Sequence, residues 1–414
     1  MNIKQFINIG IRASTMFSRF ILIFVVAKYL PATDMGIYGL MTATIIFSLY
    51  VVGLDFYVYS TRELIKTEKE HWGGFFKSQC MLSIPLYAIY TPCMLFVFFY
   101  DYMPWSILPY FLIILFFEHF CQECQRIIIA DQKPLSANIG LFIRSGSWPL
   151  ILILLFYFNI IPHSFDSVLL LWLIGDFFAT VFFVYIISNM GISGWRDKIN
   201  WAWLNKGIKV CSFFLIGTLA LKFCSMIERY WLQDLSTIEI VGVYSFFIGI
   251  SNIISSFVDA GVVSFKYPKL IKAHAEKNRA DILKIKKELS VQLVIWVLVL
   301  SLISLILIDI VLNLVNKSIY FEYKSMYYIT LLTAVISCIG LLPHYELYAR
   351  NKDKVIILSH VTSLVFFFLS TIIISFFDKI YAVPLGALIM QTYILAFKLL
   401  SVNRMSKNEC SYIN

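Results

Sequence analysis

Charge is scarce in this sequence. Only 14% of its 414 residues are Asp, Glu, Lys or Arg, against about 25% in ordinary soluble domains. Hydrophobic residues make up 60%, and the mean hydropathy is +0.79. That balance excludes a water-soluble globule, a disordered chain and a nucleic-acid-binding protein. Cysteine is scarce in polar sequence as well. Of the eight, seven (Cys80, Cys93, Cys121, Cys124, Cys211, Cys224 and Cys338) lie in apolar stretches, where they behave as small hydrophobes, and only Cys410 lies in a polar tail. No disulfide framework follows. The Cys121–Cys124 pair has redox spacing but falls inside an apolar helix without a βαβ setting, so neither a redox nor a metal site is expected.

What the chain does have is apolar length. Twelve stretches of 18 to 26 mainly apolar residues are each long enough to cross a hydrocarbon core of about 30 Å. They run Phe6 to Tyr29, Ile37 to Leu54, Phe76 to Phe99, Ile107 to Ile129, Ile139 to Phe158 and Val168 to Ile187 in the first half. The second half supplies Ile208 to Ile227, Ile240 to Val263, Leu289 to Leu314, Met326 to Leu347, Val355 to Phe377 and Ala382 to Leu400. Arg12 and Arg19 interrupt the first stretch and no small-residue cleavage site follows, so it is expected to remain as a span rather than act as a signal peptide. Aromatics at 17% suit lipid-facing surfaces and interfacial belts.

The joints alternate in charge. One set carries Arg62, Lys66 and Lys69, then Lys133, then Arg196, Lys198 and Lys206, then the run from Lys266 to Lys287, then Arg350, Lys352 and Lys354, and finally Arg404 and Lys407. The other set is short, nearly bare of cations, and carries Asp34, Asp101, Asp166, Asp234 and Asp378. The positive-inside rule makes the basic set cytoplasmic and puts both termini there. Outward loops of about ten residues or fewer leave no room for an extramembrane catalytic domain. The Lys266–Lys287 run reads as one basic amphipathic helix, and Trp195, Trp201 and Trp203 read as an interfacial anchor between the halves.

The halves echo each other. L-P-A-T-D-M-G-I-Y at Leu30–Tyr38 returns as L-S-T-I-E-I-V-G-V-Y at Leu235–Tyr244, 206 residues separate Tyr38 from Tyr244, and the same offset superposes Leu64, Ile65 and Lys66 on Leu270, Ile271 and Lys272. Six spans per half is an even number, so the halves share one topology and are expected as two six-helix lobes, residues 1–195 and 196–414.

Ionisable side chains inside spans cost about 2.5–3.5 kcal/mol on insertion scales, so those that persist are the functional candidates. Arg12 and Arg19 share one face of the first span; Arg126, Arg144 and Lys222 add cations in the fourth, fifth and seventh. Arg suits an anionic headgroup because its planar fork bonds two phosphate oxygens. For Arg12, Arg126 and Arg144 the competing reading is snorkelling to the inner interface, which is harder for Arg19 and Lys222. The fourth span is the most polar: His119, Glu123 and Arg126 form one stripe, and Glu118, Gln122 and Gln125 another. Glu118, Glu123 and Asp176, the last near the middle of the sixth span, are candidates to carry a proton or other coupling ion; a fixed Glu123–Arg126 or Glu123–His119 pair is the structural alternative. Asp55 and Asp259 read as exposed helix ends, Asp309 as solvated, and His344 and Glu346 as interfacial.

The pattern A-K-Y-L-P-A-T-D-M-G-I-Y-G-L from Ala27 to Leu40, then G-L-D-F-Y-V-Y-S-T-R-E-L from Gly53 to Leu64, and later E-I-V-G-V-Y at Glu239–Tyr244 with Tyr267 and Pro268, resembles the Wzx-type flippases of bacterial polysaccharide biosynthesis. The resemblance covers nearly the whole chain in length, span number and repeat. It implies an all-α, MATE-like fold of about twelve transmembrane helices, in the MOP superfamily. It implies a non-enzymatic, multi-pass inner-membrane protein without cofactor, which moves an undecaprenyl-diphosphate-linked oligosaccharide, such as an O-antigen unit, to the periplasmic leaflet by alternating access. Arg12, Arg19 and Lys222 are the positions that match the family's cationic lumen. A coupling proton or other cation, membrane lipids, and a polysaccharide polymerase with its chain-length regulator are the partners it implies. A drug exporter or another lipid-precursor flippase of the same fold is the nearest alternative. A membrane glycosyltransferase or polymerase is a more distant one, because those enzymes carry long periplasmic loops.

Overall fold

In hydrocarbon a backbone polar group finds no water, so a spanning segment must satisfy its own N–H and C=O groups, and the helix does so with one segment. The structure is a computed structural model that describes the backbone of residues 3–411 and the side chains of 7–405; the side chains of Lys407 and Cys410 lie outside the described residues. The chain is 88% helical, with no strand among the described residues. Twelve helices are long and apolar enough to span a membrane. We number them α1 (Ile7–Tyr29), α2 (Ala32–Gly53), α3 (Lys69–Phe99), α4 (Trp105–Ala130), α5 (Pro134–Tyr157), α6 (Phe165–Ser188), α7 (Trp201–Leu235), α8 (Ile238–Ala275), α9 (Arg279–Val315), α10 (Lys324–Ala349), α11 (Asp353–Ser375) and α12 (Lys379–Met405). The protein is a multi-pass membrane protein.

Local chemistry sets where helices stop. Leu54 and Asp55 end α2 with φ of 51° and 50°, and Asn159, Asn316 and Asn351 adopt the same left-handed conformation after α5, α9 and α10; asparagine tolerates it because its short side chain bonds locally. Helices restart on side-chain caps: Ser164 Oγ accepts from the N–H of Ser167 at 3.3 Å, and Asn200 Oδ1 from that of Trp203 at 2.9 Å.

The chain divides into two compact units, Met1–Leu215 and Ile216–Asn414, the division falling within α7. Inside the first, α1 packs on α5, α2 on α3 and α4, and α6 on both α4 and α5. Inside the second, α8 packs on α9 and α10, and α12 on both α10 and α11. A β-carbon on Gly217 would lie 3.1 Å from Ile357, so α7 also meets α11. The pairs α2–α3, α2–α4, α4–α6 and α5–α6 of the first unit thus recur as α8–α9, α8–α10, α10–α12 and α11–α12 in the second. The closest approaches recur too: a β-carbon on Gly140 of α5 would sit 2.2 Å from the Phe183 ring of α6, and one on Gly386 of α12 would sit 2.1 Å from Thr371 Oγ1 of α11. Without a hydrophobic driving force between helices in lipid, such small-residue contacts let the backbones approach.

Several expectations need correction. Asp55 is not an exposed helix end but buried, because two successive left-handed residues turn the chain into a short helix, Tyr57–Lys66, that packs back on α4. Trp195 and Trp201 are exposed, as anchors are, whereas Trp203 is buried among Phe56, Tyr59 and Phe75. The Lys266–Lys287 run is not one helix. Its first part prolongs α8 to Ala275, Lys277 turns left-handed with φ 53°, and the Asn278 side chain caps α9. Glu346 is not interfacial but buried, taken up by Arg350 at 2.8 Å and Lys286 at 2.6 Å.

Candidate functional site

The polar face of α4 organises the interior of the first unit. Glu123 is one hub. Its Oε2 accepts from Gln79 Nε2 of α3 at 2.5 Å, its Oε1 pairs with Arg126, and His119 Nε2 stands 4.0 Å away. The other ring nitrogen of His119 meets the Tyr87 hydroxyl at 3.2 Å. The Arg126 guanidinium lies 3.7 Å from the Tyr57 ring centroid, a cation–π contact that holds it flat over the short helix. The stripe read from the sequence is therefore assembled, with Glu123–Arg126 as a formed ion pair.

Five residues earlier in α4, Glu118 is a second hub. Its Oε1 accepts from the Trp172 indole N–H at 3.2 Å, and its Oε2 lies 3.4 Å from Arg144 Nε. A π-helical turn, Ile143–Ser147, aims Arg144 inward: the inserted residue shifts the phase of α5, so Arg144 and Ser145 are both buried. Ser145 Oγ accepts from Arg19 Nη2 of α1 at 2.7 Å. Trp148 and Trp172 stack with ring planes 11° apart and close the site on one side. Asp176 of α6 is fully enclosed, neighbours Glu118 and Arg144, and has no hydrogen-bond partner on either carboxylate oxygen among the described residues.

The candidates thus sort themselves. Arg19, Arg144, Glu118 and Asp176 converge; Arg126 and Glu123 form a separate network; Arg12 is exposed at the start of α1; and Lys222, half-buried, belongs to the second unit. Arg126 and Arg144 each face an acid, whereas Arg19 bonds a neutral hydroxyl and has no carboxylate within 4.0 Å among the described residues. Gln125 spends its amide on the Ala137 carbonyl at 3.3 Å.

The two repeat tyrosines mark equivalent places. Tyr38 packs against Trp172 beside Glu118, and Tyr244 donates to Glu228 Oε2 at 2.7 Å, so each unit holds an acid near that tyrosine, half-buried in the first and buried in the second. Sequence reasoning missed Glu228, and it missed Lys398 and His360, which meet His344 inside the second unit. His360 and Lys398 carried the signal of an ionisable residue within a span, but Lys398 lies close enough to the end of the last apolar stretch to pass for an interfacial lysine, and Glu228 falls one residue beyond the seventh stretch and is inside the helix only because α7 runs on to Leu235.

No family model matches this sequence, and no curated protein matches it. Solved structures do share its fold. The inward-facing conformation of a multidrug resistance MATE family transporter of the MOP superfamily aligns with a TM-score of 0.79 at 13% identity, over 96% of this chain and 98% of that one. A MOP superfamily transporter from Pyrococcus furiosus, described as having a binding pocket of reverse polarity, aligns with a TM-score of 0.63 at 14% identity over 98% and 94%. A mutant of the Vibrio cholerae MATE transporter VcmN aligns with a TM-score of 0.58 at 15% identity over 99% and 96%. The class is thereby defined: this is an all-α, multi-pass membrane protein with the MATE-like fold of twelve helices.

Proposed function

We propose that the protein is a transporter working by alternating access, and specifically a flippase that moves an undecaprenyl-diphosphate-linked oligosaccharide across a bacterial inner membrane, with both termini in the cytoplasm. The fold supports transport. What supports an anionic cargo is one observation: Arg19 sits mid-span on α1, exposed, bonded to a hydroxyl, with no acid partner among the described residues. A guanidinium at that depth without an acid in direct contact is costly, and a diphosphate supplies the charge in a geometry its fork matches. In this reading Lys222 serves the same role from the second unit. The pairing of Arg126 and Arg144 with acids gives them a positioning role.

Asp176 is the proposed carrier of a coupling proton. Its carboxylate is enclosed and makes no hydrogen bond among the described residues, and an ionised carboxylate so placed costs several kcal/mol unless Arg144 compensates it. Movement of Arg144 between Glu118 and Asp176 would exchange that compensation. Glu118 and Glu123 are the alternative carriers, each already engaged by a cation.

The test is accumulation. A strain lacking the protein should build up lipid-linked repeat units in the cytoplasmic leaflet, whereas loss of a glycosyltransferase would leave them unmade. Arg19→Ala and Lys222→Ala should each abolish surface polysaccharide at unchanged protein level. Wild-type polysaccharide in both variants would sink the cargo reading.

A further inference from the structure

The second unit contains a cavity of about 190 Å³ whose polar lining is built from bases. Lys398 of α12 is 4% exposed. Its Nζ lies 3.0 Å from Nε2 of His360 on α11 and 3.2 Å from Nδ1 of His344 on α10. The two imidazoles lie 6.2 Å apart with planes 7° from parallel, and the lysine bridges them. Ser337, Tyr345 and Gln391 add neutral polar groups to a wall that is otherwise apolar, and no carboxylate lines it among the described residues.

The hydrogen-bond inventory fixes what this trio holds. Lys398 has hydrogens for both rings as an ammonium or as a neutral amine, so each facing ring nitrogen offers its lone pair, both imidazoles are neutral, and the trio is either uncharged or carries one extra proton. His344 then keeps its own proton on Nε2, a further donor. Among the described residues, nothing on the packed elements would cancel that charge. On α10, Glu346 is engaged by Arg350 and Lys286, and Tyr345 stacks on Tyr267 of α8. Asp259 of α8 is exposed at a π-helical turn, α11 contributes His360, and α7 contributes the apolar Leu221.

A buried cation without a counter-ion is expensive. The cavity therefore has two economical states: empty with the trio uncharged, and protonated with an anion beside the ammonium. Each partner stabilises the other, and the linkage is reciprocal. We propose that this cavity is a proton-linked anion site, which binds a phosphate-class oxyanion and takes up one proton from water as it does so. Lys398 contacts the anion, His360 and His344 hold the ammonium in place, and His344 adds its Nε2–H. The site is separate from the Arg19 network and does not depend on the oligosaccharide reading.

Titration calorimetry on the full-length protein in zwitterionic nanodiscs tests it. Inorganic diphosphate is titrated in two buffers of different ionisation enthalpy, between about pH 6 and pH 9, a window around the ordinary histidine value. The wild type should bind with proton uptake that approaches one per anion as the pH rises. Lys398→Met should weaken binding by about 10- to 100-fold, as loss of a charged hydrogen bond does, and abolish the uptake. Lys398→Arg should keep the anion and lose the uptake, because a guanidinium stays charged; this arm still decides if the methionine variant fails to fold. Farnesyl diphosphate that binds where inorganic diphosphate does not would place the oxyanion on a lipid, and equal binding would make it a free ion. Binding without proton uptake across the range, equal affinity in Lys398→Met, unchanged uptake in Lys398→Arg, or no binding of either probe overturns the proposal.

Discussion

Glu123→Ala cuts the first unit at its most connected acid. Removing one partner of a buried ion pair costs about 3–5 kcal/mol, because the remaining charge stays uncompensated. Two features of this site reduce that cost. The Arg126 side chain is 18% exposed, and it keeps the Tyr57 ring at 3.7 Å, a contact worth about 0.5–2 kcal/mol. The variant also orphans the buried Gln79 amide, which adds back about 1 kcal/mol or more. The sum is about 3 kcal/mol. For a unit of this length, at about 2–4 °C per kcal/mol, that is a fall in Tm of roughly 6–12 °C, read by thermal unfolding of the detergent-solubilised protein. Glu123→Gln keeps an acceptor for Gln79 and loses only the charge, so it should fall between wild type and Glu123→Ala. Adding Arg126→Met to Glu123→Gln removes the orphaned cation. The double variant should be more stable than the single effects added together, by about 1–3 kcal/mol of coupling. A fall in Tm below about 2 °C for Glu123→Ala, with additive double-variant behaviour, would refute the view that this pair is desolvated.

Three further outcomes follow from particular contacts. Gly140→Ala and Gly386→Ala each drive a methyl into a neighbouring helix, 2.2 Å from Phe183 and 2.1 Å from Thr371; each should lower the melting temperature by the equivalent of about 1–3 kcal/mol, whereas Gly10→Ala, with nothing within 4 Å, should not. Tyr244→Phe leaves Glu228 without its 2.7 Å donor and should cost about 1.5–3 kcal/mol in the same assay. Asp131, in the joint between α4 and α5, is pushed up by burial but pulled further down by Lys133, at 2.9 Å, and Lys69, so its carboxyl lies below the usual range. A depressed folded value means that the stabilisation is complete above the unfolded value of about 3.9 and is lost as pH falls through the folded one. Wild type and Asp131→Asn should therefore differ at about pH 6 and converge towards about pH 3; a difference that grows on acidification would contradict this.

Much of this molecule is legible in one dimension because the bilayer simplifies the problem. A span must be about 20 residues, apolar and helical, so counting apolar stretches finds all twelve helices. The repeat was read from two short matches, and within the two units α2 packs on α4 as α8 packs on α10. The polar stripe of α4 was legible because a helix places His119, Glu123 and Arg126 on one face by its period. What was not legible depends on residues far apart in sequence. Asp55 reads as a helix end, and only the turn through Leu54 into the Tyr57–Lys66 helix buries it. Arg144 reads as a cation near the interface, and only the π-helical turn aims it at Glu118. Lys398, His344 and His360 sit on three helices, and no periodicity links them.

The sequence by itself determined that this is a twelve-span helical membrane protein with two related halves and a few ionisable groups held at depth, because hydrocarbon leaves the backbone no other arrangement and makes each such group costly enough to stand out. Only the tertiary structure decided which of those charges are cancelled. Arg126 and Arg144 meet acids, Arg19 meets a hydroxyl and Lys398 meets two imidazoles, since an ion pair is a matter of a few ångströms between helices whose rotation and register emerge only when glycines such as Gly140 and Gly386 let them close.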